Sequence, residues 1–173
     1  IHYNSAHKSG GTATICNSQW GARITKHHTD KYGRWSGFTF TGESQLDCHI
    51  ITVYQANFTN ASCHPKSAYA QQQAMFLAEG RPRINCRMNF LLDMEIFLSS
   101  LKSSSSAIIV GGDFNCDLRN SNTSLSQLLL RMGLVDVHEH QHPHLPPTNT
   151  WQGGTATIDY VYLSPSLLPF ITA

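Results

Sequence analysis

The sequence predicts a mixed α/β domain. Three features carry that prediction: runs rich in Thr, Val, Ile and aromatics near both ends, two central segments with helical apolar spacing, and a branched apolar run that stops on Gly-Gly-Asp. At 173 residues there is room for one domain with a sizeable core, and a second packed domain is not expected.

The elements follow in order. TATIC at 12–16, SGFTFT at 36–41 and CHIITVY at 48–54 read as strands separated by Gly- and Asp-bearing turns. The stretch around 71–77 changes period, and in 88–101 the residues Phe90, Leu91, Met94, Phe97, Leu98 and Leu101 paint one face of a helix. Lys102 and the serines at 103–106 end it in a loop, and AIIVGGDFN follows. A leucine-rich helix comes next, with Thr123 or Ser124 as N-cap and Gly133 as C-cap. HEHQHPHLPP is proline-broken and reads as an irregular polar loop leading to a last strand, TATIDYVYL at 155–163.

Composition narrows the function classes. Hydrophobic residues make up 40%, charged residues 13%, and the net charge is +1, so neither disorder nor a generally basic nucleic-acid binder is indicated. A polyanion would have to be gripped locally. Five cysteines without a CxxC pair suggest neither a disulfide framework nor a zinc site, which favours a reducing, intracellular setting with the nucleus as one option. The sequons at Asn57, Asn60 and Asn122 would matter only in a secreted protein, and no signal peptide or membrane-spanning run is visible. The opening on Ile1 and the apolar close SLLPFITA suggest a piece of something longer.

The chemistry concentrates in GGDFN. On an extended chain Asp113 and Asn115 share a face while Phe114 turns to the core, and Gly111 and Gly112 leave space for a ligand or a neighbouring backbone. A carboxylate that holds a cation or deprotonates water, beside an amide that donates to a phosphoryl oxygen, suits phosphoryl transfer. The plainer alternative is a strand ending in an Asx-turn. Asp159, inside TIDYV, is expensive to bury unless a donor meets it. It would then either orient a histidine or sit on the solvent face of an edge strand.

Taken in order, GRWSGFTFTG, ITVYQAN, GGDFN and NTW ahead of IDYVYLS resemble the endonuclease/exonuclease/phosphatase superfamily, most closely the endonuclease domains of non-LTR retroelements. The resemblance implies a four-layer α/β/β/α sandwich of two mixed sheets, Mg²⁺ as cofactor and DNA as partner. It implies that Asp113 positions or activates the attacking water, that Asn115 contacts the scissile phosphate, and that Tyr54 lies near it. Asn57 resembles a phosphate-site asparagine, although Gln55 and Ala56 depart from the usual intervening residues. Asp159 resembles the aspartate that hydrogen-bonds a catalytic histidine.

Two parts of the family pattern have no counterpart. The QE-type metal glutamate is missing, since the first glutamate is Glu43, and no histidine follows Leu163 to form the final SDH motif. The domain is therefore expected to be incomplete at both termini, with no metal ligand assigned beyond Asp113 as a candidate. The chain is expected to be inactive or nearly so and poorly soluble. A phosphomonoesterase of the same superfamily and a non-catalytic remnant are the alternatives.

Other features are read conservatively. The alternating histidines 138, 140, 142 and 144 would share one side of a strand and could bind a transition metal there, but Pro143, Pro146 and Pro147 favour a polar loop, and His27-His28 reads as a solvated turn. Arg81, Arg83 and Arg87 either touch a nucleic-acid backbone or sit in a solvated loop, and Trp35 packs in the core.

Overall fold

The computed structural model describes residues 11–42, 45–60, 64–119, 123–146 and 148–171. Glu43, Asn122 and Pro147 lie outside these residues. A short helix α1 (Ser18–Gly21) precedes strands β1 (Ile24–Thr29), β2 (Trp35–Thr41) and β3 (Asp47–Tyr54). Helices α2 (Ala68–Ala78) and α3 (Cys86–Leu101) then lead to β4 (Ser106–Asp113). Helix α4 (Ser124–Arg131), strand β5 (Val135–Asp136), helix α5 (Val137–Gln141), strand β6 (Asp159–Leu163) and a 3-10 turn at Pro165–Phe170 complete the order.

The six strands form one sheet in the order β1-β2-β3-β4-β6-β5. Among the described strands only β3 and β4 run parallel, and these are the two joined by the long crossover through α2 and α3, as parallel pairing demands. Side-chain caps start the helices where the sequence offers them: Ser67 for α2, Asn85 for α3 and Thr123 for α4. The apolar stripe of α3 buries Phe90, Met94, Leu98 and Leu101 together with Ile51, Val53, Ile108 and Val110 of the sheet and Leu125, Leu128 and Leu129 of α4. Trp35 belongs to this core and stacks on Phe97 at 5.2 Å.

The arginine of GRW locks the layers together. Arg34 is buried, bonds Asp30 twice at 2.8 and 2.9 Å, reaches Asp93 at 2.7 Å and Asn89 at 3.2 Å on α3, and lies against the rings of Tyr32 and Trp35. A buried guanidinium needs this full set of partners, and losing one would leave an uncompensated charge. Its carbonyl accepts from the Tyr54 N–H at 2.8 Å, so the same residue anchors the end of β3.

Several expectations are corrected. The residues 12–16 form no strand among the described residues; they touch the sheet through the Thr14 hydroxyl, which bonds Ser36 and Thr52. The mixed α/β class holds, but among the described residues there is one mixed sheet and not the expected two, and its face away from α3 and α4 carries half-buried Phe38, Phe40, Ile50 and Ile109 and exposed Val161. His27 and His28 are not a turn but part of β1, which the β-branched Ile24, Thr25 and Thr29 signal. His28 is buried, and the Thr39 hydroxyl bridges it at 2.7 Å to His49 at 2.8 Å. Part of the histidine tract is the helix α5, started by the Asp136 side chain rather than left as loop. The last strand begins only at Asp159. Among the described residues Cys16, Cys48, Cys86 and Cys116 are free, and no helix is long and apolar enough to cross a membrane.

Candidate functional site

Strand register assembles the site. Tyr54 is the partner of Asp113 across β3 and β4, and Asp159 is the partner of Asp113 across β4 and β6. Directly opposite residues share a face, so the three side chains form one row across the ends of three strands. The neighbouring row, Val53, Gly112 and Tyr160, faces the opposite way, toward the helices. Tyr54 and Asp113 are half-buried and Asp159 is exposed, closer to the solvent-facing alternative, although β6 is an interior strand. Strand β5 pairs with Tyr162 and Leu163, so among the described strands none pairs with Asp159 on that side. Thr150, in the NTW stretch, fixes the approach to it by accepting from the backbone N–H groups of Ile158 and Asp159 at 3.0 and 3.2 Å.

Asp113 and Asn115 come together, but by a turn rather than by strand alternation. The strand ends at Asp113, and Asn115 has φ +45°, a left-handed conformation that asparagine tolerates better than most residues. Its N–H donates to Asp113 Oδ1 at 2.9 Å, which is an Asx-turn. Its carboxamide Nδ2 donates to the Gln55 carbonyl at 2.8 Å and to Asp113 Oδ2 at 3.1 Å. The opposite amide orientation would aim an oxygen at two acceptors, so both amide hydrogens are committed to protein. The plainer reading and the chemical one thus coincide: the turn is what brings amide and carboxylate together. Phe114 packs inward, bonded through its N–H to Ile158 O and edge-on to Tyr160 and Tyr162.

The two glycines serve the sheet. A Cβ on Gly112, whose φ is +144°, would stand 2.1 Å from the Val53 carbonyl oxygen, while one on Gly111 would meet Val161 Cγ2 at 3.3 Å. The space at Gly112 is therefore taken by the adjacent strand and is not clearance for a phosphate.

Two residues join the site that the sequence did not single out for it. Gln55 follows Tyr54, donates its N–H to Asp113 O at 2.9 Å and accepts from Asn115, so its backbone ties β3 to the GDFN turn. Its own side chain is buried, and Oε1 has no partner among the described residues. Arg87, in the first turn of α3, donates to Asn115 O at 3.2 Å and to Ala56 O at 3.4 Å, clamping the loops after β3 and β4. It is neither a solvated arginine nor a free one; in sequence only its place near a helix start hinted at this. Asn57 is exposed and stands outside this hydrogen-bonded cluster.

The electrostatics raise the cost of a negative charge at Asp113. Burial is the largest influence on Asp113 and pushes its carboxyl up, the Asn115 N–H pulls it back, and the Asp159 charge raises it again. Burial and then the Asp113 charge push the Tyr54 hydroxyl up. Among the described residues no three His, Cys, Asp or Glu side chains are grouped to hold a metal. The two facing carboxylates are hard oxygen donors of the kind that Mg²⁺ takes one or two of, with water and substrate phosphate completing its shell.

Comparison with known proteins shows the family and the fold. The model of the Endonuclease/Exonuclease/phosphatase family matches residues 3–172. No curated protein sequence is significantly similar. Among solved structures, the 3′ phosphatase NExo from Neisseria, bound to product DNA hairpin, superposes with TM-score 0.53 at 16% identity, covering 84% of this chain and 60% of its own. The Xenopus laevis APE2 catalytic domain gives 0.50 at 14% identity, with 79% and 48% covered. The endonuclease domain of TRAS1, a telomere-specific non-LTR retrotransposon, gives 0.49 at 12% identity, with 82% and 55% covered, a likeness too loose to argue from. The chain spans 48–60% of the lengths of these three structures.

Proposed function

Because the chain belongs to the endonuclease/exonuclease/phosphatase family, we propose that it is part of a Mg²⁺-dependent DNA endonuclease of retroelement type. The observation that carries this reading is the row of Tyr54, Asp113 and Asp159 with Asn115 folded back onto Asp113. A bound divalent cation would supply neutralisation of phosphate charge, and Asp113 is the chain's own candidate to hold it or to orient the attacking water. Asp159 is the candidate to support a catalytic histidine. Asn115 keeps Asp113 Oδ2 in place, and its donation to a scissile phosphate requires exchanging that bond for one to substrate. Tyr54 lies beside Asp113, and Asn57 could reach the phosphate only on the solvent side of the cluster.

The 173 residues by themselves are proposed to be inactive or nearly so. They hold no glutamate before Glu43 and no histidine after His144, and loss of one member of a cooperating catalytic set costs several orders of magnitude in rate. The test is nicking of supercoiled plasmid with Mg²⁺, comparing this chain, the longer protein encoded by the surrounding reading frame, and that protein with Asp113→Ala. Nicking by the long protein alone is expected. Equal nicking with and without Asp113 would sink the role given to it, and release of phosphate from a monoester without nicking would favour the phosphomonoesterase.

A further inference from the structure

The histidines at 138, 140, 142 and 144 alternate, which on a strand would line four imidazoles along one side. The fold winds the first of them into α5, Val137–Gln141, so that neighbours on one face are four residues apart instead of two. His138 and His142 then face each other with ring centroids 5.2 Å apart at 59°. His140, two residues from each, falls on another side of the turn. Among the described residues the two histidines bond through backbone groups and not through their rings.

That separation is the one a shared tetrahedral ion would require of the ring centres. A tetrahedral ion takes imidazole nitrogen at about 2.05 Å; about 1.15 Å more reaches the ring centre, and at about 109° two such centres lie about 5.2 Å apart. The spacing is His-x3-His, as in helical zinc pairs, although His142 is the C-cap of α5 rather than part of the helix. Both residues line a groove of about 930 Å³ whose walls include Asp136, Glu139 and Asp159. No third ligand closes the set among the described residues, so water or a ligand in the groove would fill the two remaining positions.

We propose that His138 and His142 form a two-histidine chelate for a transition-metal ion of the Zn²⁺ and Cu²⁺ class, on the wall of this groove. Imidazole selects such ions, and Mg²⁺, which prefers oxygen, does not compete for it. The test is calorimetric titration of the 173-residue chain with Zn²⁺ and with Mg²⁺. One Zn²⁺ should bind and Mg²⁺ should not displace it. His138→Ala and His142→Ala should each weaken Zn²⁺ binding about 10-fold or more, and His140→Ala and His144→Ala less than about 3-fold. Equal losses at all four positions would mean a loose histidine tract and overturn the proposal, as would no binding or binding that survives loss of both His138 and His142. Since alanine at 138 alters α5 itself, long-range ¹H–¹⁵N spectra of the imidazoles in the unsubstituted chain provide an independent readout. Zn²⁺ should shift the nitrogens of two rings; shifts in all of the tract's rings, or in none, would overturn it.

Discussion

Replacing Gly112 by alanine separates two accounts of the Gly-Gly pair. The added Cβ would stand 2.1 Å from Val53 O, and real Cβ contacts almost never fall below 3.0 Å, so β3 and β4 must part by about 0.9 Å (3.0 − 2.1) at that point. Holding a side chain at φ +144° adds strain of about 1–3 kcal/mol. Stretching the ladder beside it costs about 1–3 kcal/mol for each buried group left unpaired. Together these give a loss of about 3 kcal/mol or more, and with a urea slope of about 2 kcal/mol/M the unfolding midpoint should fall by about 1.5 M. Gly111→Ala is the control, because its Cβ meets Val161 Cγ2 at 3.3 Å and Tyr160 O at 3.4 Å, and small shifts relieve both. It should cost less than about 1 kcal/mol. The Tyr54 and Asp113 resonances, one residue along the ladder, should move with Gly112→Ala. If Gly112→Ala unfolds within about 0.5 kcal/mol of the parent, or Gly111→Ala is the more damaging, the strand-approach argument fails and clearance for a ligand becomes the better account.

Two titration experiments follow from burial. The folded pKa of Asp113 is raised, so its contribution to stability is full below the ordinary carboxylate value and is lost as pH rises through the raised one. Asp159→Asn should therefore lower the Asp113 pKa, followed by ¹³C carboxyl NMR, and recover stability near neutral pH; an unchanged Asp113 titration would refute the like-charge coupling. His28 and His49 are both lowered, chiefly by burial, so the stability they contribute is present above their ordinary value of 6.5 and is lost as pH falls below it. The melting temperature should drop between about pH 7.5 and about pH 5, and His49→Gln should flatten that dependence; a parent curve already flat there contradicts the burial argument.

Local pattern made much of this molecule legible. The alternation in β2 and β3, the apolar stripe of α3 and the N-cap at Thr123 depend on neighbours within a few residues and appear in the structure where the pattern put them, while the C-cap of α4 is Met132, with Gly133 next to it at φ +75°. The short strand β1 escaped because two histidines masked its β-branched frame, and 12–16 failed as a strand because pattern cannot supply a partner. The residues of the candidate site were likewise visible in GGDFN, TIDYV and ITVYQAN.

What those residues do to one another depends on contacts far apart in the chain. Register across β3, β4 and β6 puts the Asp113 and Asp159 carboxylates face to face, which a one-residue slip would undo. Arg87 reaches the site from a helix start 28 residues before Asn115, and Gly112 is required by a carbonyl on another strand. The histidine tract is the clearest case: the sequence determines four imidazoles, and only the winding of α5 selects which two of them meet. Side-chain chemistry is written residue by residue, whereas distance between residues is set by packing, and function needs both.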